Sequence, residues 1–366
     1  MARLFERDCW LVLGLPFDAV SMEQTAERVL HAIETQTPCF VSTPNLNFAI
    51  TAQYDEAFYD SVVGSDLSVA DGMPLVWLAR LLGIPICERV AGSDLFEYLS
   101  ARQTTQPVSV FFFGGQQGVA RQAYERLNQQ AGGVISCGYF DPGFVSLEDM
   151  SSAAIIDSIN AAKADFIVVA LGAKKGQAWI QHNRSRLNAP VIGHLGAVIN
   201  FVAGTVARAP VIWRRSGLEW LWRIRQEPSL WKRYFKDGTA LLRLLLINVI
   251  PLVVYDRILR HSPGFKVPAA ISEAEGRLAL QGSVHHDSCY NIRAALGRYV
   301  ETADAVIELD FSQVTYIDTA FMADLLYLQH YLKRQHRQLR LSKLSGRVRR
   351  LFYFAGVLRK FTVIST

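Results

Sequence analysis

Residues able to move a proton or hold an anion stand where short apolar runs stop. In "LSVADGMPLVW" the run ends at Asp71-Gly72 and a new apolar segment begins at once. A carboxylate followed by glycine at such a place has two readings. It either caps the helix of "MPLVWLARLL", or it projects a charge into a cleft and serves as a general base. "CFVSTPN" stops in the same way at Thr43 and Asn45. "VSVFFFGGQQGVA" places Gly-Gly-x-x-Gly, with Gly114 and Gly115 first, between an apolar run and a helical pattern. That spacing suits a phosphate-cradling turn and equally a plain tight turn. No Walker lysine follows it, and "LGAKKG" lacks the Ser or Thr that would hold magnesium, so a P-loop is excluded. No Asp-x-Asp pair ends a strand in this part of the chain, so no metal or other cofactor is expected. Diphosphate charge must then be met by backbone N–H groups and arginine.

The elements that must position these residues can be read from hydrophobic patterning. Continuous apolar runs ("CFVS", "VSVFFF", "DFIVVA", "APVIGH") alternate with helical spacing over the first two hundred residues or so. This predicts an α/β fold with a parallel sheet covered on both faces. Ligands of such sheets bind outside the carboxyl ends of the strands. Thr43, Asn45, Asp71, Gly114, Gly172 and Gly196 are therefore expected along one edge. From Thr205 to Lys236 the composition changes to arginine and tryptophan, with Arg208, Arg214, Arg215, Arg223 and Arg233 interleaved with Trp213, Trp220, Trp222 and Trp231. The run suits either a solvated face or an anionic lipid surface or phosphate-bearing ligand, for which arginine beside interfacial tryptophan is apt. The stretch Ala240–Tyr255 is strongly apolar but holds Arg243 and Pro251. A spanning helix needs roughly 20 apolar residues, so a buried or interfacial segment is expected here. "HSPGFKVPA" marks a linker. After it, "EGRLALQGSV", "SCYNIRAALGRYV", "AVIELDFSQVTYID" and "TAFMADLLYLQHYLKRQ" predict a small α/β domain.

Bulk properties agree. At 366 residues two domains are the default, and 50% hydrophobic with 19% charged residues excludes disorder. The 5 cysteines are scattered without a CxxC pair, which suits a reducing compartment. "MARLFERDCW" lacks the apolar run of a secretory signal, so a cytoplasmic location is expected.

Taken in order, "STPN", "VADGMPLVW", "ERVAGSDL", "FFFGG", "VALGAKKGQAWI", "INFVAGTVARAP" and "GLEWLWRIRQEPSLWKRY" resemble the WecG/TagA/CpsF glycosyltransferases over roughly residues 10–236. The resemblance implies a Rossmann-like catalytic domain at 1–204 and a basic, aromatic helical appendage near the membrane at 205–262. It also implies inverting, metal-independent transfer from a UDP-sugar, carrying an N-acetylhexosamine or a uronic acid, to a polyprenyl-diphosphate-linked saccharide in cell-surface polysaccharide synthesis. The enzyme would be peripheral at the inner face of the cytoplasmic membrane, with no nucleic acid as partner. By position, Asp71 is similar to the family's general base, Thr43 and Asn45 to its substrate-facing polar pair, and Arg89 to a cleft arginine. Arg208, Arg223 and Arg233 match basic positions of the appendage. The family usually reads Pro-Lys-Gln-Glu where this chain has Lys174-Lys175-Gly176-Gln177, so Lys175 is kept and Gln177 stands one position late. Asn200 replaces a common aspartate, and an appendage arginine falls on Leu230.

Residues 263–366 resemble a STAS domain through "VIELDFSQVTYIDTAFMADLLYL". In regulatory members a hydroxyl at the start of this helix is phosphorylated. Here Thr319 is that candidate, or else an ordinary first residue of a helix. Such a module implies a protein partner or self-association. It also leaves open a second class of function: a non-catalytic sensor of sugar nucleotides acting through the STAS-like part.

Overall fold

The computed structural model describes residues 5–130, 132–210, 212–213, 217–274, 277–301 and 304–364. Its backbone forms two compact units that are discontinuous in sequence. One comprises Met1–Ala19, Trp77–Pro85 and Asp237–Thr366, the other Val20–Val76 and Ile86–Lys236. The expected boundaries at 204 and 262 run in linear order. The structure instead places the N-terminal hairpin, and the chain from Asp237 onward, in the same unit as the C-terminal segment.

That hairpin pairs β1 (Cys9–Val12) with β2 (Leu15–Asp18). It is held to the C-terminal helix Thr319–Arg334 by packing rather than by a sheet ladder. Cys9, Leu11, Leu15 and Phe17 are buried, the Tyr327 hydroxyl donates to Cys9 Sγ at 3.6 Å, and the Arg7 guanidinium lies 4.4 Å from the Tyr327 ring centroid. Arg7 also pairs with the fully buried Asp18 carboxylate at 2.6 Å.

In the larger unit, β3 (Cys39–Ser42), β4 (Leu67–Ser68), β5 (Val108–Gly114), β6 (Val134–Phe140), β7 (Phe166–Ala170) and β8 (Val191–His194) form a parallel sheet in the order β4-β3-β8-β7-β5-β6. The period-2 geometry of a strand sorts "VFFF" to opposite faces. Val110 and Phe112 enter one core with Val168 and Ile199. Phe111 and Phe113 enter the other with Ile167 and Trp179. Phe113 stacks on Trp179 at 4.0 Å between centroids. Both faces are apolar because helices cover both, as the uninterrupted hydrophobic runs predict.

The C-terminal unit holds a five-stranded sheet in the order β13-β12-β11-β10-β9. These strands are β9 (Ala270–Ala274), β10 (Arg277–Val284), β11 (Val306–Ile317), β12 (Gln338–Ser342) and β13 (Thr362–Ile364). Only β9 is antiparallel. "AVIELDFSQVTYID" is one long strand rather than a strand with a turn, its register shifted against β10.

The apolar stretch Ala240–Tyr255 is neither short nor interrupted as an element. Pro228–Arg260 is a continuous helical stretch of 33 residues, long and apolar enough to cross a membrane by length and composition alone. Pro251 does not break it because it lies in the first turn of helix Ile250–Arg260, directly after the wide π-turn Leu245–Val249. One flank of this helix is engaged within its own unit. Val249, Leu252 and Leu259 are buried, Asn248 donates to the carbonyls of Tyr353 and Phe354, and Asp256 accepts from the Tyr316 hydroxyl. The opposite flank, including Leu246 and Ile258, is exposed.

Because Arg7 and Asp18 are sequestered together, Asp18→Ala removes the buried carboxylate that faces the Arg7 guanidinium. The expected loss is about 3 kcal/mol of stability, read by urea denaturation, with Asp18→Asn losing less.

Candidate functional site

The strand order fixes where a ligand crevice must lie. From β3 the chain leaves toward β4 on one side, whereas β8 is entered from β7 on the other. Such a switch point opens a crevice at the carboxyl ends of the two neighbours. Thr43 follows β3 and His194 ends β8, and the Thr43 hydroxyl donates to the His194 carbonyl at 3.3 Å. Two backbone hydrogen bonds bring further loops to this point. The Asp71 N–H donates to the Pro44 carbonyl at 2.9 Å and the Val90 N–H to the Ala70 carbonyl at 3.0 Å. Thr43, Asn45, Asp71 and Arg89 are thereby assembled from three separate loops.

Asp71 does not cap the following helix. The Gly72 carbonyl accepts the first helical bond, from the Leu75 N–H at 3.1 Å, and the Asp71 carboxylate makes no hydrogen bond among the described residues. Gly72 has φ +148°, a conformation that turns the chain sharply and disfavours any side chain there. Asn45, by contrast, is an N-cap, its Oδ1 accepting from the Phe48 N–H at 3.2 Å.

The electrostatics centre on Asp71. Burial pushes its carboxyl up to about 7; Arg89 and Arg223 pull against that rise, while Glu219 and Asp94 add to it. Arg89 is not free. It pairs with Glu219 at 2.6 Å and with Asp94, and Arg208 pairs with Asp94 and Glu97. Of the three appendage arginines, Arg223 reaches Asp71 electrostatically and Arg208 is tied to Asp94. Arg233 is exposed, lying 5.1 Å from its neighbour's ring at Tyr234. Arg214 and Arg215 lie outside the described residues.

In the glycine-rich turn after β5 two backbone N–H groups are engaged within the fold. The Gly115 N–H is taken by the Ala170 carbonyl at 2.8 Å and the Gly118 N–H by Asp141 Oδ2 at 3.3 Å. A Cβ on Gly114 would meet the Ala170 carbonyl oxygen at 2.8 Å. After β7, Gly172 precedes helix Ala173–Asn183 and the Lys175 ammonium donates to the Val145 carbonyl. Gln177 is buried, donates from Nε2 to Ser42 Oγ at 2.8 Å, and leaves Oε1 without a hydrogen-bond partner. Gly196 lies beside the Leu171 carbonyl. Asn200, half-buried on helix Val198–Ala203, makes no side-chain hydrogen bond among the described residues. Thr319 belongs to the C-terminal unit, where it is the first residue of helix Thr319–Arg334, capped by Asp318. Among the described residues no three His, Cys, Asp or Glu side chains are grouped to hold a metal ion.

Three residues of this region escaped the sequence reading. Glu219 and Asp94 are the acids that engage Arg89; an acid inside a basic run ("GLEWLWR") was the available signal for the first. His194 is the third. Its Nε2 lies 3.0 Å from the Leu171 carbonyl, and burial lowers its pKa, which keeps the imidazole neutral. A Cβ on Gly176 would lie 2.2 Å from the His194 ring. The imidazole thus fills the space that a side chain at 176 would need, which gives the departure at "AKKGQ" a physical explanation.

Residues 10–252 match the profile described as "Glycosyl transferase WecG/TagA/CpsF family", and residues 268–363 match "Mlab, STAS domain". The chain is 30% identical over 207 residues, covering 56% of this chain and 79% of the relative, to a Bacillus spizizenii N-acetylglucosaminyldiphosphoundecaprenol N-acetyl-beta-D-mannosaminyltransferase. It is 26% identical over 224 residues, 61% of this chain and 85% of the relative, to a Staphylococcus aureus protein of the same description. Among solved structures, the unphosphorylated anti-sigma factor antagonist SpoIIAA aligns with 27% of this chain and 87% of its own, at 17% identity and a TM-score of 0.23.

Since Gly176 and His194 share one space, Gly176→Ala is expected to destabilise the protein by about 1–3 kcal/mol. Gly176→Ala with His194→Ala should recover most of that in thermal unfolding. No recovery would mean that the ring does not occupy that space.

Proposed function

The chain belongs to the WecG/TagA/CpsF glycosyltransferase family, and from that premise we propose that it moves a sugar from a UDP-sugar to a polyprenyl-diphosphate-linked saccharide, with inversion and without a metal. The observation that carries this reading is Asp71: a half-buried carboxylate in the loop after β4, without a hydrogen bond among the described residues and within the electrostatic reach of Arg89 and Arg223. The acceptor hydroxyl gives its proton to Asp71 as its oxygen attacks the anomeric carbon. The bond from that carbon to the diphosphate oxygen breaks on the opposite face, and UDP departs. Arginine at the cleft stabilises the negative charge that develops on the leaving group. A base with a pKa near the working pH is suited to this step. The names of the relatives support an N-acetylhexosamine donor over a uronic acid, and a lipid-diphosphate-linked acceptor. Family membership, together with a carboxylate unused by the fold, favours the enzyme over the sensor.

A lipid-linked acceptor requires the active unit to work at a membrane surface. The stretch Pro228–Arg260 supports this at the cytoplasmic face. Trp231 and Phe235 are exposed beside Lys232, Arg233 and Lys236, and the exposed apolar flank follows. Basic residues with interfacial aromatics suit anionic headgroups.

Asp71→Asn should lower turnover with a lipid-linked acceptor by about 10²–10⁴-fold while leaving UDP-sugar binding near wild type; retained turnover removes the assignment. The pH profile supplies a second check. A carboxyl whose pKa is raised is protonated, and inactive as a base, below about 7. Hence kcat/KM should rise through about pH 7, and Asp71→Glu should displace that limb. The same proton makes the ionised form cost stability, so the stability contribution of protonated Asp71 is present at low pH and lost as pH rises through about 7. Arg223→Ala with Arg233→Ala should weaken both vesicle flotation and use of the lipid acceptor. Unchanged flotation would remove the membrane role of that segment.

A further inference from the structure

We propose that the STAS-like unit carries its own binding surface for anionic phospholipid, built from helix Gly346–Phe354 and the exposed flank of helix Leu245–Arg260. The proposal deepens the reading of a membrane-surface enzyme and rests on it for its biological setting; what it adds is the arginine face of helix Gly346–Phe354 beside the apolar flank already described.

The sequence from Leu325 to Thr366 contains 10 Lys and Arg and no Asp or Glu, whereas the whole chain has a net charge of only +5. Helix Gly346–Phe354 shows how part of that charge is displayed. Val348, Leu351 and Phe352 are buried, while Arg347, Arg349, Arg350 and Tyr353 are exposed on the other side. At 100° per residue these four occupy one continuous arc. None of the three arginines has an ion-pair or hydrogen-bond partner among the described residues.

The neighbouring helix continues the same surface. Asn248 Nδ2 donates to the Tyr353 and Phe354 carbonyls at 3.4 and 3.3 Å, and Tyr255 meets Phe354 edge-on at 5.9 Å. With that side fixed, Leu246, Ile247, Ile250, Val254 and Ile258 are exposed at 61%, 44%, 46%, 52% and 60%. Arg243 and Arg257 share that exposed arc, while the acid of this segment, Asp256, points the other way, to Tyr316 and Arg260. An apolar stripe flanked by arginines, with no acidic residue on either exposed arc, is complementary to a surface that is negative outside and hydrocarbon beneath. Nucleic acid would leave the aliphatic stripe in water. An acidic protein partner would meet the arginines and is distinguished below.

The test uses the full chain and vesicles of phosphatidylcholine alone or with 30% phosphatidylglycerol. The variant is Arg347→Glu with Arg349→Glu and Arg350→Glu, all solvent-facing, and a second variant is Ile250→Glu with Val254→Glu. Wild type should float with phosphatidylglycerol vesicles and lose binding as salt is raised. The arginine variant should bind roughly 100-fold more weakly, with unchanged thermal unfolding and unchanged turnover on a short, water-soluble acceptor. The second variant should weaken binding to both vesicle types. Equal flotation of the arginine variant and wild type overturns the proposal. So does loss of a dimer or of duplex DNA binding in that variant while vesicle binding persists. Lost flotation in the variant, with no transferase activity in any form of the protein, would instead leave the surface standing and remove the proposed reaction.

Discussion

Taking a carboxylate out of water costs free energy that nearby positive charge must offset, and in the larger unit this applies to Asp71, Asp94 and Glu219 together. Arg89 is shared by all three, directly with Asp94 and Glu219 and through space with Asp71. Because Arg89 already serves two acids, its field at Asp71 is partly cancelled, and burial dominates the Asp71 pKa. The outcome is a carboxylate that is neither a permanently charged partner nor a permanently neutral one. Any group that draws Glu219 away from Arg89 returns positive charge to the crevice.

That balance depends on the topology of the sheet. Strands β3 and β8 are neighbours whose connections diverge, so the loops after them leave an opening. The Asp71–Pro44 and Val90–Ala70 backbone bonds then stitch separate loops into one wall. None of these bonds involves a side chain, so the placement of Asp71 and Arg89 is set by backbone geometry, with Gly72 supplying the one conformation that other residues resist. The pairing of Gly176 with His194 is a packing solution: the space left by the missing side chain on helix Ala173–Asn183 is filled by an imidazole from strand β8. The buried Gln177, bonded to Ser42, fixes the same corner.

Much of this was legible in the sequence. Continuous apolar runs announced the parallel sheet because burial on both faces removes the alternation that a half-exposed strand would show. The row of strand-end residues followed from that fold. Asp71 with its following glycine was legible as a carboxylate at a sharp turn, whereas the choice between cap and projecting side chain depends on the helix beginning at the Gly72 carbonyl. What the sequence could not disclose were the long-range partners. Glu219 read as an isolated charge, since its ion pair with Arg89 spans more than a hundred residues and has no local signature. His194 read as part of an apolar run, and its relation to Gly176 exists only once β8 and the helix after β7 are packed. The glycines of "FFFGGQQG" show the same dependence: the Gly115 and Gly118 N–H groups are engaged by Ala170 and Asp141, outside the local run.

The compact units also run against the linear order of the motifs. The glycosyltransferase match begins at residue 10, inside a hairpin whose buried face rests on the helix Thr319–Arg334 of the STAS-like segment. Its far end, residue 252, lies in a helix docked on the Tyr353 and Phe354 carbonyls. Both ends of the matched region therefore bury apolar surface in the C-terminal unit, and Cys9, Tyr327 and the Arg7–Asp18 pair form part of a core that neither sequence segment completes alone. A linker between autonomous domains carries few such contacts. Here the STAS-like segment supplies the core in which the first strand of the glycosyltransferase match is buried, so its presence in the chain has a structural basis independent of any partner it binds.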